Sequence, residues 1–151
     1  MRRFLCLLVA CAVAASVASA ATAKSGKGTM CVLHAKLTAK SETTGSTSRA
    51  KGHTTIKVLN DGTIQFKTKI NNKKGETFTA GHIHQAPVGF PGGIVVPLFA
   101  GSTSEHHIKQ KGTATPNAGT TGAALCDNPS AYYVNYHTTA FGAGAIRGQL
   151  H

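Results

Sequence analysis

The sequence predicts an all-β domain that forms a single Greek-key β-sandwich or barrel. Three observations lead to this prediction. Short runs of alternating apolar and polar residues recur along the chain, glycine-containing turns separate them, and no long segment has the 3.6-residue apolar period of a helix. Chains of this kind bury their apolar faces by packing two sheets together or by closing one sheet on itself.

The first 20 residues predict a secretory signal peptide that is cleaved from the protein. Two arginines start the chain, an apolar run follows over residues 4–17, and the small residues Ala-Ser-Ala end the segment at Ala20. The apolar core is too short for a membrane span, and no later segment reaches the roughly 18 apolar residues that a membrane helix needs. We therefore expect a secreted protein, outside the cell, at its surface or in the periplasm.

Cleavage after Ala20 divides the chain into a signal peptide (1–20), a leader (21–30) and a folded domain (31–151). The leader consists almost entirely of small and polar residues, so we expect it to be disordered. About 131 residues remain after cleavage, which suits one domain with one hydrophobic core.

Strand signals follow one another along the folded domain. They combine alternating apolar positions with bounding glycine, asparagine or proline residues. The predicted strands cover residues 30–37, 53–59, 63–70, 77–84, 92–99, 106–115, 132–138 and 145–150.

The clearest hairpin joins residues 53–59 to residues 63–70. The Asp-Gly pair between them supplies the positive φ of a tight turn. Along the second strand apolar positions alternate with lysines, which predicts one core face and one face in water. Lysines also place residues 106–115 at a sheet edge. We expect residues 116–131 to form a loop with one helical turn.

Two cysteines remain after removal of the signal peptide, Cys31 and Cys126. In an exported protein we expect them to form a disulfide between the first strand and a late loop. A loop of that length would stabilise the fold by about 4–5 kcal/mol in the chain-entropy model. The alternative is a pair of free buried thiols.

The mature chain is strongly basic. After loss of Arg2 and Arg3, 14 of the 16 Lys and Arg residues remain, against 5 Asp and Glu residues, which gives a net charge of about +9. Such a surface attracts anionic polymers and lipid headgroups, although an ordinary solvated basic surface is the alternative. We expect no specific recognition of nucleic acid, because no basic run is interleaved with aromatic residues and tryptophan is absent.

Two histidines on one predicted strand, His82 and His84, are the candidate metal ligands. Residues at i and i+2 of a strand share a face, so the two imidazoles can converge on one ion. His137 is the best third ligand, because its strand is expected to be central in the sheet. Imidazole ligands favour copper, zinc or nickel. Alternatively, the pair arises by chance among 8 histidines, or holds a loop by hydrogen bonds.

Patterns of common enzymes are missing from the sequence. It contains no nucleophile-elbow motif, no pair of acids at a glycosidase spacing, no phosphate-binding loop and no dinucleotide fingerprint. We therefore expect a binding protein rather than an enzyme, and name no catalytic residue.

Two long motifs resemble the chordin-type (CHRD) domain family. Residues 81–98, GHIHQAPVGFPGGIVVPL, resemble its His-Ile-His strand, Gly/Pro loop and apolar strand, and residues 128–150, NPSAYYVNYHTTAFGAGAIRGQL, resemble its second motif. The resemblance extends over about residues 31–150, with a departure at Gly142, where many members have proline. It implies an all-β secreted domain without a well-established common activity. Both motifs contain candidate ligands.

A more distant similarity is to copper–zinc superoxide dismutase, whose copper-ligand strand also carries His-x-His. It implies a superoxide-dismutase-like or immunoglobulin-like sandwich, and Arg147 is similar to that enzyme's substrate-guiding arginine. The loop after the enzyme's strand holds further ligands, whereas residues 85–104 here contain no histidine, aspartate, glutamate or cysteine. We expect neither a bridging zinc site nor full dismutase function.

Three functions follow from these observations. The first is a secreted protein that binds a metal ion, copper or alternatively zinc, through His82, His84 and His137. In that case Tyr133, Asn135 and Arg147 would surround the ligands and orient their rings. The second is a non-catalytic adhesion module for anionic surface polymers or proteins. The third is a small copper oxidoreductase.

Overall fold

The computed structural model describes residues 28–151. The predicted signal peptide (1–20) and most of the predicted leader (21–30) lie outside these residues. Strands dominate the described chain, together with one short α-helix and two single 3-10 turns, and the all-β prediction is confirmed. None of the helices in this part of the chain is long and apolar enough to cross a membrane.

Each predicted strand segment forms a strand. Their bounds are β1 (Thr29–Thr38), β2 (Lys51–Leu59), β3 (Ile64–Asn71), β4 (Phe78–Gln85), β5 (Gly93–Thr103), β6 (His107–Ala114), β7 (Tyr132–Thr138) and β8 (Ile146–Gln149). The helix α1 (Gly122–Asp127) lies where one helical turn is predicted. Strand β1 begins two residues before the predicted domain boundary, because Thr29 pairs with Leu59 of β2.

All eight strands form one antiparallel sheet in the order β5-β4-β7-β8-β1-β2-β3-β6. The two end strands approach each other, since Asn117, just after β6, donates from its backbone N–H to Val95 O (2.8 Å) and from Nδ2 to Ile94 O (3.0 Å). The sheet is therefore a nearly closed barrel. Strand β7 returns beside β4, which gives the connection its Greek-key character.

Side chains of β7 alternate between the interior and the exterior of the barrel. Val134 and Tyr136 are fully buried in the core, and the Tyr136 hydroxyl donates to Thr68 Oγ1 on β3 across the interior (2.9 Å). Tyr133, Asn135 and His137 therefore lie on the outer face of the same strand. Loops cover part of this outer face, which places a polar cluster between the barrel wall and the loops.

The predicted disulfide is present and joins Cys31 of β1 to Cys126 of α1, with Cα atoms 5.9 Å apart. The Thr121 side chain accepts a hydrogen bond from the backbone N–H of Ala124 and so caps the helix that carries Cys126. Linking residues 95 positions apart stabilises the fold by about 4–5 kcal/mol in the chain-entropy model.

Candidate metal centre

Strands β4 and β7 bring His82, His84 and His137 together on the outer face of the barrel. Their potential ligand atoms all lie within 4.8 Å of one another, and among residues 28–151 no other group of three such residues is this compact. The ring of His137 lies 5.0 Å from that of His82 and 6.2 Å from that of His84, between centroids. The predicted third histidine is therefore next to the other two.

Hydrogen bonds determine which nitrogen of each ring carries the proton. Gly92 O lies 3.0 Å from His84 Nδ1, and Gly142 O lies 3.0 Å from His137 Nδ1. Because a carbonyl oxygen can only accept, both Nδ1 atoms are the protonated ones. The Nε2 atoms of both rings therefore carry lone pairs, as metal ligands require.

His82 completes the cluster through a direct contact with His137. Its Nδ1 lies 3.1 Å from His137 Nε2. Since His137 Nε2 carries the lone pair, His82 Nδ1 donates the hydrogen bond. Two nitrogens bound to one zinc or copper ion are also about 3–4 Å apart, because each lies roughly 2.0–2.1 Å from the metal. For an ion to bind between His82 Nδ1 and His137 Nε2, the proton on His82 Nδ1 would have to move to Nε2 of the same ring.

Two buried acceptors on this face have no hydrogen-bond partner within the described chain: His84 Nε2 and Asn135 Oδ1. An unpaired buried polar atom costs free energy unless water or an ion satisfies it. The orphaned His84 nitrogen belongs to the same cluster as the unprotonated nitrogen of His137. The residues therefore fit a cation that accepts imidazole nitrogens.

The site keeps its imidazoles neutral. Burial, together with the nearby His137 and His84, lowers the pKa of His82 to about 4. Burial also lowers the pKa of His84, against the raising effect of its Gly92 hydrogen bond. The pKa of His137 is lowered for the same reason, against the effect of Gly142. Neutral rings at physiological pH are the form that binds metal.

His84 is one end of a stack of three side chains, with Tyr133 in the middle and Arg147 at the other end. Its ring lies face to face with Tyr133, with centroids 4.9 Å apart and planes inclined by 7°, and the Arg147 guanidinium carbon lies 3.3 Å from the Tyr133 ring centroid. The Tyr133 hydroxyl accepts a hydrogen bond from the backbone N–H of Gly92 (3.1 Å). Tyr133 thus contacts one ligand and also positions the carbonyl group that holds it.

Arg147 anchors the loop between β4 and β5. Its guanidinium donates to Phe90 O (2.8 Å) and to Pro87 O (3.0 Å). The residue is only 2% exposed. This buried position does not suit the substrate-guiding role that the superoxide dismutase similarity implies; Arg147 instead contacts Tyr133 and the loop between β4 and β5.

Asn135 contacts an acid that sequence reasoning did not select. Its Nδ2 donates to Glu42 Oε1 (2.8 Å). Burial raises the pKa of Glu42 to about 7, against the lowering effect of Arg147. Glu42 follows a 3-10 turn, Ala39–Ser41, and nothing in its sequence context indicates that a long loop returns it to this face.

The remaining histidines lie elsewhere. His106 and His107 are exposed at the start of β6, as expected for an edge. His34 stacks on His53 with ring centroids 5.5 Å apart, and lies 6.4 Å from His151. This second group was not predicted, because His34 and His53 lie on two different strands and His151 lies beyond the last strand, and the sequence does not reveal how these segments are aligned.

Comparison with known proteins identifies a family. The family model of the CHRD domain matches residues 33–150 of this sequence. No curated protein sequence and no solved structure shows a match.

Proposed function

Because the chain belongs to the CHRD domain family, an extracellular type of module, we propose that it is an exported domain that binds one copper ion. The ligands are His82, His84 and His137. Tyr133 and Arg147 support the ligands, and the Gly92 and Gly142 carbonyl groups set their tautomers.

The observation that carries this proposal is the unsatisfied Nε2 of buried His84 beside the His82–His137 pair. Histidines that only brace a loop would use both ring nitrogens or expose one to water. Here one nitrogen of His84 is committed to Gly92 O and the other points into the cluster without a partner. Ligating histidines share this arrangement, in which the second nitrogen donates to a carbonyl group.

Copper fits the donor set better than its competitors. Imidazole nitrogens suit copper, zinc and nickel, and the affinity order of divalent ions puts Cu²⁺ above the other two. Zinc is the alternative, since three histidines and a water also form a zinc site. Bound copper would supply a Lewis acid and a one-electron redox centre.

The deciding experiment is a competition titration of the chelator-treated protein with Cu²⁺, Cu⁺ and Zn²⁺. We expect one copper ion per chain, bound more tightly than zinc. Replacing two ligands, His82→Ala with His84→Ala, should weaken copper binding by at least about 100-fold, the upper end of what loss of an outer partner costs.

The matched control replaces an exposed pair, His106→Ala with His107→Ala, and should leave the affinity unchanged. A third variant, His34→Ala, tests whether the His34–His53 stack contributes a weaker second site. The proposal is wrong if the His82/His84 variant binds copper as tightly as the control variant does.

A further inference from the structure

The outer face of strands β1, β2, β3 and β6 carries a continuous set of positive charges. The inward positions of these strands are mainly buried apolar residues, with Thr54 and Thr68 among them, and the alternate positions face solvent, as the strict alternation of β3 shows. We call this outer surface the basic face. Its cations are Lys36, Lys51, Lys57, Lys67, Lys69, Lys109 and Lys111, with Arg49, Lys73 and Lys74 at one end.

Like charges face each other directly across two of these strands. Lys67 pairs with Lys111, and Lys69 pairs with Lys109, in the register of β3 and β6. Opposed like charges destabilise a sheet. None of the four strands contains an aspartate or glutamate that would relieve the repulsion. The fold therefore tolerates a cost here that a bound polyanion would remove.

The basic face also has the shape of a binding surface. A hollow at one end is lined by Arg49, Lys51, Asn71, Lys73 and Lys74. A second hollow is lined by Lys57, Lys67 and Lys111, by polar side chains of β2, β3 and β6, and at its floor by Gly112 and Phe66. Phe66 occupies an inward position of β3 and is only 8% exposed. Because a strand rises about 3.3 Å per residue, Lys51 in the first hollow and Lys57 in the second are roughly 20 Å apart along β2.

The side chains of the basic face indicate which kind of polyanion it would bind. The outward positions of β2, β3 and β6 hold no phenylalanine, tyrosine or tryptophan on which bases could stack, so they lack the platform that single-stranded nucleic acids use. Between the lysines lie Thr55, Gln65, Asn71 and Thr113, whose side chains can donate hydrogen bonds to hydroxyl groups and accept them. A chain with regularly spaced anionic groups and many hydroxyls matches this pattern.

We infer that the basic face binds an acidic polysaccharide whose sulfate or carboxylate groups contact the lysines of β2, β3 and β6. This binding is separate from the candidate metal centre, which lies on β4 and β7.

The test measures binding of the chelator-treated protein to heparin and to polygalacturonate, with neutral dextran and duplex DNA as comparisons. We expect both acidic polysaccharides to bind and dextran not to bind, and the affinity to fall steeply with salt. If heparin binds more tightly, the anionic groups that the face recognises are sulfates; if polygalacturonate binds more tightly, they are carboxylates. The inference is overturned if duplex DNA binds more tightly than both at equal salt, or if dextran binds as well as they do.

The variant Lys67→Gln with Lys111→Gln removes one opposed pair. It should weaken polysaccharide binding on the order of tenfold and reduce the slope of log affinity against log salt by roughly one to two, since each contact releases about one counterion. Relief of the repulsion should raise the midpoint of thermal unfolding, so weaker binding cannot be ascribed to unfolding.

A control of equal net charge, Ser102→Glu with Ala118→Glu, changes exposed residues outside the four strands. It should retain most of the affinity. Equal weakening by both variants would show that overall charge alone attracts the polymer, and no weakening by the lysine variant would show that this face is not used. Either result overturns the inference.

Discussion

The rings of His84 and Tyr133 lie face to face, with centroids 4.9 Å apart. The two residues are also directly paired across β4 and β7. A second connection runs through Gly92, whose N–H donates to the Tyr133 hydroxyl and whose carbonyl oxygen accepts from His84 Nδ1. Tyr133 therefore controls both the plane of the His84 ring and the position of the group that sets its tautomer.

Replacement of Tyr133 by phenylalanine should weaken copper binding while it preserves the fold. The stack on His84 remains, but the Gly92 N–H loses its acceptor, so the carbonyl group that orients His84 is held less firmly. We expect a loss of about tenfold in copper affinity, within the usual range for outer partners of a metal ligand. Competition titration measures it. Tyr132→Phe, on the inner face of the same strand, is the control, and equal affinities of the two variants would contradict the role of the hydroxyl.

Replacement of Arg147 by lysine should destabilise the protein. Lysine cannot supply two donors in a fixed fork to Phe90 O and Pro87 O while it stacks on Tyr133. We expect a loss of about 1.5–3 kcal/mol in the free energy of unfolding, measured by urea denaturation. Lys40→Gln removes an exposed cation and should change little. A variant as stable as the parent would show that the loop does not depend on this anchor.

Replacement of Glu42 by glutamine should stabilise the protein in a pH-dependent way. Because burial raises the pKa of Glu42 to about 7, the folded protein holds this proton after the unfolded chain has lost it near 4.5. Its favourable contribution is complete below pH 4.5 and is lost as the pH rises to 7. Glutamine keeps the neutral form, so its advantage over the parent should grow between pH 4.5 and 7.

Urea denaturation at several pH values measures this difference, with Glu105→Gln as the control at an exposed position. The histidine cluster has the opposite effect, since the lowered pKa of His82, about 4, makes stability fall as the pH drops from 6.5 towards 4. That contribution is common to parent and variant and cancels in the comparison. A constant difference across the range would mean that Glu42 titrates normally.

Replacement of Gly81 by alanine should destabilise β4, the strand that carries the candidate ligands His82 and His84. A Cβ at this position would overlap Cε1 of Tyr136, which is fully buried and hydrogen-bonded to Thr68. Overpacking of this kind costs about 1–3 kcal/mol. Gly142→Ala, where no atom lies within 4 Å of the added Cβ, should be neutral in thermal unfolding. Similar unfolding midpoints for both variants would show that Tyr136 can move aside.

Local patterns account for most of what could be predicted. The alternation along residues 63–70 identified both faces of β3, and the i, i+2 spacing placed His82 and His84 on one side of β4, because side-chain direction in a strand depends only on position along it. The pairing of Cys31 with Cys126 followed from their number rather than from any geometry, since only one disulfide is possible after removal of the signal peptide.

Other features depend on how distant segments meet. The carbonyl groups of Gly92 and Gly142 set the histidine tautomers, yet a backbone carbonyl leaves no trace in residue identity. Glu42 reaches Asn135 although the two are 93 positions apart. The opposition of Lys67 and Lys111 is likewise a matter of register between β3 and β6.

The sequence by itself therefore determined the strands, the family, the disulfide and the histidines that share a face, because each of these depends on residue type and local periodicity. Only the tertiary structure decided that the histidine cluster lies outside the barrel, that its rings are neutral and held by loop carbonyl groups, and that the lysines form one surface. Burial, hydrogen-bond partners and charge density are properties of segments brought together in space, and no single segment contains them.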